Sequence, residues 1–368
     1  MAITIWDVIV VGAGPGGAIA AKVCADSGLD TLLIEKKRLP RDKVCSGMLM
    51  GSLAKALVHE HFGAIPKGVL IKQVHYNGIT LHVGEKTIVE IPAFIPVGWR
   101  KDLDYWMCER AIEAGARLTD GARVGCIRGH SRGYELEIRQ EDENKRLYTK
   151  YVIGADGSHS VVRRSLYPEL KVIYRPAYRE CYEEQLSIKK DHFHWFFPFV
   201  TPSPRFDINY KDNLLLIEGG SIREIRDRIR KLLADYGLPP DAKPLWRDGC
   251  VIPMLHNELL HDTFIPAKVN AVLVGDAAGM LFPFTHEGIG PALNSGVLAA
   301  QAVREALTGN GKAERHYIEK IQGMKGFLKE LYSMHQDMDS ISKRGADALG
   351  KLMREFIEKT LREGLCEV

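Results

Sequence analysis

The chain has 368 residues, of which 45% are hydrophobic and 26% charged, and its net charge of +3 is spread along the sequence without a basic block. This length predicts two or three structural units around a continuous core, and the charge pattern argues against nucleic acid as the main partner. Seven scattered cysteines form no CxxC pair, which excludes zinc-ribbon and iron–sulfur spacings and predicts reduced thiols, no metal and a cytoplasmic location.

The first predicted element is a buried parallel strand over Ile5–Val11, because its residues are β-branched and nearly all apolar. An alanine-rich helix over Ala18–Ser27 and a short apolar strand over Thr31–Ile34 follow. These elements form a βαβ unit of about thirty residues, the compact form found at dinucleotide sites.

The turn between the first strand and the helix is a GxGxxG sequence. Gly12 permits a tight turn, Gly14 lets the backbone approach a pyrophosphate, and Gly17 allows close packing of strand and helix. The diphosphate then lies on the amides of the helix N-terminus, beside Pro15 and Gly16.

An acidic residue, Glu35, ends the second strand 18 residues beyond Gly17, and Lys36 follows it. The Glu35 carboxylate can accept hydrogen bonds from an adenosine ribose and would repel a 2′-phosphate, so NADP is excluded here. A GxGxxG sequence by itself can be only a structural turn. Here the strand, the helix and the acidic residue stand at the spacing of a dinucleotide site, which favours a bound dinucleotide with Glu35 and Lys36 both at the cofactor.

The middle of the chain has a mixed pattern. Helices are predicted over Ser52–His61 and Leu103–Ala114, and strands predominate from about residue 170 to 265 apart from a charged helix at Ile222–Tyr236. The earlier strand-like segments are Val69–Val74, Ile79–Val83, Thr87–Ile91, Ala122–Cys126, Tyr134–Arg139 and Leu147–Ile153. A strand over Ala271–Val274 and a Gly/Ala-rich helix over Gly288–Leu307 come next.

The tail from about Glu314 to Leu365 is predicted to be helical. Apolar residues recur in it mostly three or four positions apart, at Tyr317, Ile318, Ile321, Met324, Leu328, Leu331, Met334 and Met338. This stripe packs on the body of the protein, or part of it contacts a membrane or a partner chain.

The chain shows no sign of a targeting or membrane-spanning segment. The first strand begins within a few residues of Met1, which leaves no room for a signal peptide. No apolar run reaches the ~18 residues that a spanning helix needs. The expectation is a cytoplasmic protein, with a peripheral membrane contact left open.

A second glycine-rich segment identifies the dinucleotide. It contains Gly275-Asp276 directly after a strand, and His286-Glu287-Gly288-Ile289 at the start of a helix. Here the sequence resembles the flavoproteins that include aromatic hydroxylases, flavin halogenases and geranylgeranyl reductases. The resemblance implies FAD, with Gly275 and Asp276 at the ribityl chain and the helix start at the pyrimidine end of the flavin. A carboxylate can accept hydrogen bonds from polyol hydroxyls, and a helix N-terminus stabilises negative charge at N1 of reduced flavin.

Three further positions match the same flavoproteins. Asp156-Gly157, within the sequence Tyr151 to Arg164, resembles their strand-to-helix DG motif, whose aspartate and turn support the nucleotide site. Arg100 matches an arginine that precedes a long helix and touches FAD, although a surface ion pair is an alternative. Val124 matches a backbone contact to adenine. The motifs extend from residue 8 to 300, so the resemblance covers most of the chain.

Two patches favour the geranylgeranyl reductase branch. Cys45-Ser46-Gly47 corresponds to a cysteine–glycine turn that lies beside the flavin in those reductases. A thiol there can donate a proton to the alkene carbon opposite the one that receives hydride. Cys45 can also be only a small residue that packs against FAD.

The other patch is an aromatic strand that resembles the YxWxFP pattern of geranylgeranyl reductases, with Phe193 where they have tyrosine. Phe193, Trp195 and Phe197 are expected to form an apolar slot for a hydrocarbon chain, with Trp195 close to the reacting bond. An ordinary core strand is the alternative. Phe193 lacks the hydroxyl group of that tyrosine. After Pro198 the sequence resembles the archaeal lipid reductases less closely.

His286 stands where the family usually has a small residue. A histidine at the flavin edge can titrate near neutral pH, relay a proton or stabilise reduced flavin, or it can hydrogen-bond only locally. His194 is a weaker candidate, because strand alternation points it away from the pocket.

These features predict an α/β fold. A Rossmann-type FAD-binding domain (1–70, 99–168 and 266–310) is interleaved with a mixed β-sheet substrate domain (71–98 and 169–265), and helices follow at 311–368. The predicted activity is FAD-dependent reduction of carbon–carbon double bonds in a prenyl or lipid-like substrate, with Cys45 or water as the proton donor. NAD(P)H, ferredoxin or a flavoprotein supplies electrons, and the absence of a second dinucleotide fingerprint means that NAD(P)H binds transiently.

Two other activities remain as alternatives. A monooxygenase or halogenase would use a C4a-hydroperoxide, but a halogenase also needs a lysine in its substrate tunnel, and no lysine of the sequence can be assigned there. The second alternative is an electron-transfer flavoprotein that reduces quinone. Related quinone oxidoreductases carry an iron–sulfur cluster on grouped cysteines, and this chain lacks such a group of cysteines.

Overall fold

The computed structural model describes residues 4–309 and 311–363. The strands, in chain order, are β1 (Ile5–Val11), β2 (Thr31–Ile34), β3 (Leu70–Val83), β4 (Thr87–Gly98), β5 (Arg117–Thr119), β6 (Ala122–His130), β7 (Gly133–Gln140), β8 (Glu143–Gly154), β9 (Ile173–Tyr182), β10 (His192–Phe197), β11 (Phe206–Lys211), β12 (Leu214–Gly219), β13 (Trp246–Met254), β14 (Ala267–Lys268) and β15 (Ala271–Leu273). They form two sheets.

The α-helices lie between and after these strands. They are α1 (Pro15–Asp26), α2 (Ser52–Phe62), α3 (Arg100–Glu113), α4 (Val161–Leu166), α5 (Arg226–Ala234), α6 (His256–Leu260), α7 (Ile289–Leu307), α8 (Ala313–Lys320), α9 (Gln322–Ser342) and α10 (Ala346–Leu361). Short 3-10 turns lie at Lys67–Val69 and Gly275–Ala278. Among the described residues, no helix is both long and apolar enough to cross a bilayer.

The first sheet is built on parallel strands in the order β15-β8-β1-β2-β5, with β14 at one edge and a β6–β7 hairpin paired to β8. Its central strand β1 is paired on both sides, and Val8, Ile9 and Val10 have no exposed surface. Such burial on both faces explains the continuous apolar run in the sequence. The predicted Rossmann-type core is confirmed.

The second sheet has the order β13-β9-β12-β11-β10-β3-β4. Its neighbours are antiparallel except β10 and β3, which run parallel. Apart from Val69, which ends the preceding 3-10 turn, the predicted segments Val69–Val74 and Ile79–Val83 belong to a single strand, β3. This strand has φ +68° at Val74 and shifts register twice. Bulges of this kind disturb a period-two pattern, which is why one strand appears as two in the sequence.

The charged helix is shorter than expected, since α5 leaves out Ile222 and Tyr236. The two sheets divide the chain close to the predicted domain segments, whose boundaries stay predictions. All cysteines in the described part of the chain are free thiols, and Cys366 lies outside it.

The C-terminal helices pack on the body of the protein. Six residues of the predicted stripe are buried, and Ile318 and Met334 are half-buried against the same core. This matches the first of the two interpretations of the stripe. The final positions of the predicted tail, including Leu365, lie outside the described residues.

Helices α1 and α7 cross at close range because glycine stands at the contact. A Cβ built on Gly296 would lie 2.4 Å from the carbonyl oxygen of Gly16 and 2.6 Å from a methyl group of Ile19. Any side chain at this position would therefore push apart the two helices whose N-termini border the glycine-rich loops.

Arg163 in α4 connects two distant loops. Its guanidinium is buried and donates to the carbonyl oxygens of Ala277, at 2.9 Å, and Ser158, at 2.6 Å, as well as to the Tyr174 hydroxyl at 3.1 Å. One side chain thus holds the loop after β8 against the loop after β15.

We predict that Gly296→Ala lowers the free energy of unfolding by about 1–3 kcal/mol, because a packed helix crossing tolerates no added methyl group. Gly323→Ala in α9 is the matched control. Nothing lies within 4 Å of its built Cβ, so it should stabilise by about 0.5–1 kcal/mol through the better helix propensity of alanine. Chemical denaturation measures both, and equal effects would contradict the close crossing.

We also predict that Arg163→Met lowers stability by about 2–4 kcal/mol, because buried carbonyl groups lose a charged donor. Arg164→Met should change stability by less than about 0.5 kcal/mol, since the Arg164 guanidinium is exposed and donates to the His159 carbonyl oxygen within the same turn. Thermal unfolding of the two variants side by side tests the difference, and a stable Arg163→Met protein would show that the tether is dispensable.

Candidate functional site

Three glycine-containing turns meet at the carboxyl edge of the first sheet. Val11, the last residue of β1, pairs with Gly154 at the end of β8, and Gly154 pairs with Leu273 at the end of β15. The turns that follow these strands are therefore neighbours, although they are far apart in the sequence. In open parallel sheets this edge is where ligands bind.

The first turn leaves the N-terminus of α1 open. Gly14 caps this helix without any side-chain hydrogen bond, so its first amides can bind an anion. Gly12 has φ +106°, and a Cβ on Gly17 would lie 1.8 Å from the Gly12 carbonyl oxygen. Both glycines are thus required by the backbone, as the fingerprint predicts.

Glu35 lies buried next to this turn. Its carboxylate accepts hydrogen bonds from the amides of Ala13 and Lys37, both at 3.0 Å, and Arg41 lies 3.5 Å away. Arg41 also contacts Asp104 at 2.8 Å. The carboxylate is therefore fixed beside the phosphate-binding turn, where an adenosine ribose would be expected.

Asp276, in the turn after β15, faces the same edge. Lys43 lies 3.4 Å and the Ser158 hydroxyl 3.3 Å from its carboxylate. Burial raises the pKa of Asp276, but Lys43 and Arg100 outweigh burial, and the pKa is lower than usual. The group is an anionic acceptor suited to hydroxyl donors.

The N-terminus of α7 differs from that of α1, because a neighbouring carboxylate accepts hydrogen bonds from its first amides. Gly288 caps it without a side-chain bond, and the Gly290 amide donates to Glu287 at 2.9 Å. Burial raises the pKa of Glu287 to about 7, despite hydrogen bonds from the Gly290 and Ile289 amides. Its Oε2 atom is buried without a partner.

These features fit FAD. One open helix end suits the pyrophosphate, the fixed Glu35 suits the adenosine ribose, and Asp276 suits a polyol chain. The helix end at Gly288 suits the flavin edge less directly, because Glu287 already accepts hydrogen bonds from its first amides.

One cavity of about 570 Å³ connects these elements to the second sheet. The predicted site residues that line it are Gly14, Pro15, Gly16, Cys45, Ser46, Arg100, Gly157, Phe193, Trp195, Gly275, Asp276, His286, Gly288 and Ile289. The phosphate-binding turn, the cysteine turn and the aromatic strand thus share a single space.

Other predicted residues lie outside this lining. They are Gly12, Gly17, Glu35, Lys36, Gly47, Val124, Asp156 and Phe197. Asp156 accepts hydrogen bonds from the Ser160 hydroxyl and the amides of Val161 and Val162, so its carboxylate supports the turn before α4. Lys36 is exposed, and Val124 is buried in β6. Their contacts with FAD stay predictions.

The aromatic strand β10 presents alternate side chains to the cavity. Phe193 and Trp195 line it, whereas His194 faces away and bonds to His82 and to the Lys189 carbonyl oxygen, as alternation predicts. Phe197 stacks on Phe284 at 6.2 Å and does not line the cavity. The wall is also less apolar than expected.

The charge on this wall comes from Arg205 and Asp207. The guanidinium of Arg205 lies 5.4 Å from the Trp195 ring and 2.6 Å from the Asp207 carboxylate. The slot beside the aromatic wall therefore combines apolar rings with an ion pair, which the aromatic pattern alone did not reveal.

His286 lines the cavity with φ +55° and a buried Nε2 atom that has no hydrogen-bond partner. Burial, reinforced by Arg205 and His256, lowers the pKa of His286 well below the usual histidine value. The expectation of titration near neutral pH is therefore not met. The neutral imidazole can still donate or accept one hydrogen bond at Nε2, where a ligand could be its partner.

The cysteine turn is held by basic side chains that the sequence did not single out. Gly47 has φ +70°, and a Cβ there would lie 2.0 Å from the Gly98 carbonyl oxygen, so this turn requires glycine. Arg179 and Lys211 donate to the Cys45 carbonyl oxygen at 3.2 and 3.3 Å. No local motif marks these residues, because β9 and β11 bring them from more than 130 positions away.

Comparison with known proteins agrees with this geometry. A family profile described as FAD binding domain matches residues 6–175. Digeranylgeranylglycerophospholipid reductase 1 of Methanopyrus kandleri is 34% identical over 326 residues, which cover 82% of this chain and 81% of the relative.

Solved structures share the fold. A geranylgeranyl bacteriochlorophyll reductase-like protein from Thermoplasma acidophilum has a TM-score of 0.71 and 21% identity, with 97% of this chain and 91% of that chain covered. The myxobacterial chondrochloren halogenase CndH has a TM-score of 0.71 and 18% identity, with 91% and 83% covered. At such identities the likeness shows the fold alone, which reductases and halogenases share.

The FAD-binding profile, the reductase relative matched along most of both chains and the fit of the cavity to FAD lead to one conclusion. The chain belongs to the geranylgeranyl reductase family and is an FAD-dependent oxidoreductase.

Proposed function

We propose that this enzyme reduces carbon–carbon double bonds in a prenyl or lipid-like substrate. The observation that carries the proposal is the single cavity in which Cys45, Phe193 and Trp195 meet the residues that fit FAD. The named activity of the Methanopyrus kandleri relative, a digeranylgeranylglycerophospholipid reductase, supports the same substrate class.

Reduced FAD, when bound, supplies the hydride for one alkene carbon. The other carbon needs a proton, and we assign it to the Cys45 thiol or to a water molecule that the thiol orients. Cys45 is half-buried in the cavity lining, and the Gly47 amide donates to its sulfur at 3.3 Å. The turn therefore holds the sulfur in one orientation toward the cavity.

The aromatic wall orients the substrate in this proposal. Phe193 and Trp195 stand edge to face with ring centroids 5.9 Å apart, and both are almost fully buried. Flat rings of this kind hold an unactivated alkene by contact area and exclude water from the reacting bond. Phe193 offers no hydroxyl, so this wall acts by shape alone.

The electron donor and the location of the enzyme remain proposals as well. We propose NAD(P)H, ferredoxin or a partner flavoprotein as the donor, with NAD(P)H binding transiently. The predicted cytoplasmic location and peripheral membrane contact suit an enzyme that takes a lipid-like substrate from a bilayer surface.

The direct test is an anaerobic single turnover. Holoenzyme reduced with dithionite is mixed with a geranylgeranyl lipid, and mass spectrometry counts added hydrogen atoms. We expect two hydrogen atoms per reduced double bond. An unchanged lipid together with oxygen-dependent hydroxylation or halogenation of added aromatic compounds would favour the monooxygenase or halogenase alternative. That alternative rests on the shared fold of the chondrochloren halogenase.

We predict that Cys45→Ala slows alkene reduction by about 10²- to 10⁴-fold, the usual contribution of a positioned general acid. Cys126→Ala is the control, because this thiol is half-buried in β6, outside the cavity. Single-turnover rates measure both variants. Undiminished reduction in Cys45→Ala would assign the proton to water, and undiminished electron transfer to a quinone without alkene reduction would favour the electron-transfer alternative.

We predict that Trp195→Ala raises KM for the prenyl substrate by about 10- to 100-fold, because a large apolar contact is lost. Phe94→Ala is the control, since that ring is 57% exposed and lies outside the cavity lining. Steady-state kinetics with a water-soluble short-chain prenyl substrate measures the change. A KM that stays the same would place the hydrocarbon chain elsewhere.

A further inference from the structure

Lys211 is a buried ammonium group beneath the Cys45 turn, and the proposed reaction leaves it without a role. The residue has no exposed surface. Its Nζ atom lies 3.3 Å from the Cys45 carbonyl oxygen, 3.5 Å from the Gly98 carbonyl oxygen and 4.7 Å from the centre of the Trp99 ring. It would lie only 3.0 Å from a Cβ built on Gly47.

Two other cations surround the same cysteine, but each is already neutralised. The Arg100 guanidinium lies within hydrogen-bonding reach of the Cys45 thiol and is paired with Asp104 at 2.7 and 2.8 Å. Arg179 donates to the Cys45 carbonyl oxygen and is paired with Asp248 at 2.6 Å. Each of these guanidinium groups therefore has a carboxylate partner, although Arg100 shares Asp104 with Arg41.

Lys211 differs from them in this respect. Within residues 4–309 and 311–363, no carboxylate lies within ion-pair distance of its Nζ atom. Glu218, the acid that acts on it most strongly, has one oxygen bound by Asn209 at 3.1 Å and the other 4.0 Å from the Arg179 guanidinium. An unpaired buried cation is costly and is retained where a negative charge develops nearby.

We propose that Lys211 is a positioning residue for proton transfer from Cys45, because its charge stabilises the thiolate that the transfer leaves behind. This inference rests on the proposed function. In the step, the S–H bond of Cys45 breaks, its proton forms the new C–H bond at the alkene carbon, and the S–H electron pair stays on Sγ. Bound reduced FAD would supply the hydride for the other alkene carbon, and a proton from solvent later restores the thiol through the cavity.

The pH dependence follows from the surroundings of Lys211. Burial lowers the pKa of Lys211 to about 8, against the raising effects of Glu218 and Cys45, and Arg179 and Arg100 lower it further. These groups face it from β12, the cysteine turn, β9 and α3. The ammonium is therefore present below pH of about 8, and its support of the thiolate is lost as the pH rises through that value.

The test compares Lys211→Met and Lys211→Arg with wild-type holoenzyme in single turnovers of dithionite-reduced protein with a geranylgeranyl lipid from pH 6 to 10. We expect Lys211→Met to lower the rate by about 10- to 100-fold at pH 7, the effect of removing one nearby charge. KM should change little, because Lys211 does not line the cavity. Lys211→Arg should retain most of the rate and move its alkaline fall to higher pH, since guanidinium keeps its proton.

A double-variant comparison separates this role from a structural one. Lys211→Met should have no further effect on the rate in a Cys45→Ala background. Lys325→Met is the control for loss of a buried lysine, since Lys325 pairs with Asp262 away from the cavity, and its pH profile should equal that of the wild type. Flavin content and thermal unfolding verify that each variant is folded.

Three outcomes decide the matter. Equal rates and pH profiles in Lys211→Met and wild type overturn the role of Lys211 and leave the proposed function standing. An equal loss from Lys211→Met with and without Cys45 also overturns it, because the lysine would then act on something else. Wild-type enzyme that reduces no alkene overturns the proposed function itself.

Discussion

The parallel pairing of β1, β8 and β15 is the constraint on which the site depends. Hydrogen bonding fixes Val11, Gly154 and Leu273 side by side, so the turns after them open at one edge. A slip of one residue in either pairing would move a turn out of line with its neighbours. The buried guanidinium of Arg163 then fastens the second and third turns to each other.

The charges around the cavity fall into two groups with different physical effects. At the cofactor end, Lys43 and Arg100 outweigh burial and keep the pKa of Asp276 low, so that end presents an anionic acceptor. At the aromatic end, burial dominates, which raises the pKa of Asp207 to about 6 and keeps His286 neutral. The cysteine turn lies between them, where the cations of Arg100, Arg179 and Lys211 are buried.

The second sheet decides what the flavin can face. Strand alternation points Phe193 and Trp195 into the cavity and His194 away from it. Strands β9, β11 and β12 bring charged residues to the cavity and to the cysteine turn. The C-terminal helix α9 closes the same region, with His335 in the cavity lining. Reductases and halogenases share this architecture, so chemistry depends on a few side chains rather than on the fold.

The sequence by itself determined the Rossmann-type core, the FAD fingerprint and the cysteine turn, because these depend on local patterns. Gly12, Gly17 and Gly47 are glycines for reasons of backbone geometry within or beside their own turns, and apolar runs reveal buried strands. Only the tertiary structure could show Lys211, Arg163 and Arg205, since each also bonds to a residue far away along the chain, namely Cys45, Ala277 and Phe284. It also decided that Phe197 and Asp156 lie outside the cavity lining, because side-chain direction depends on packing between the sheets that no local pattern records.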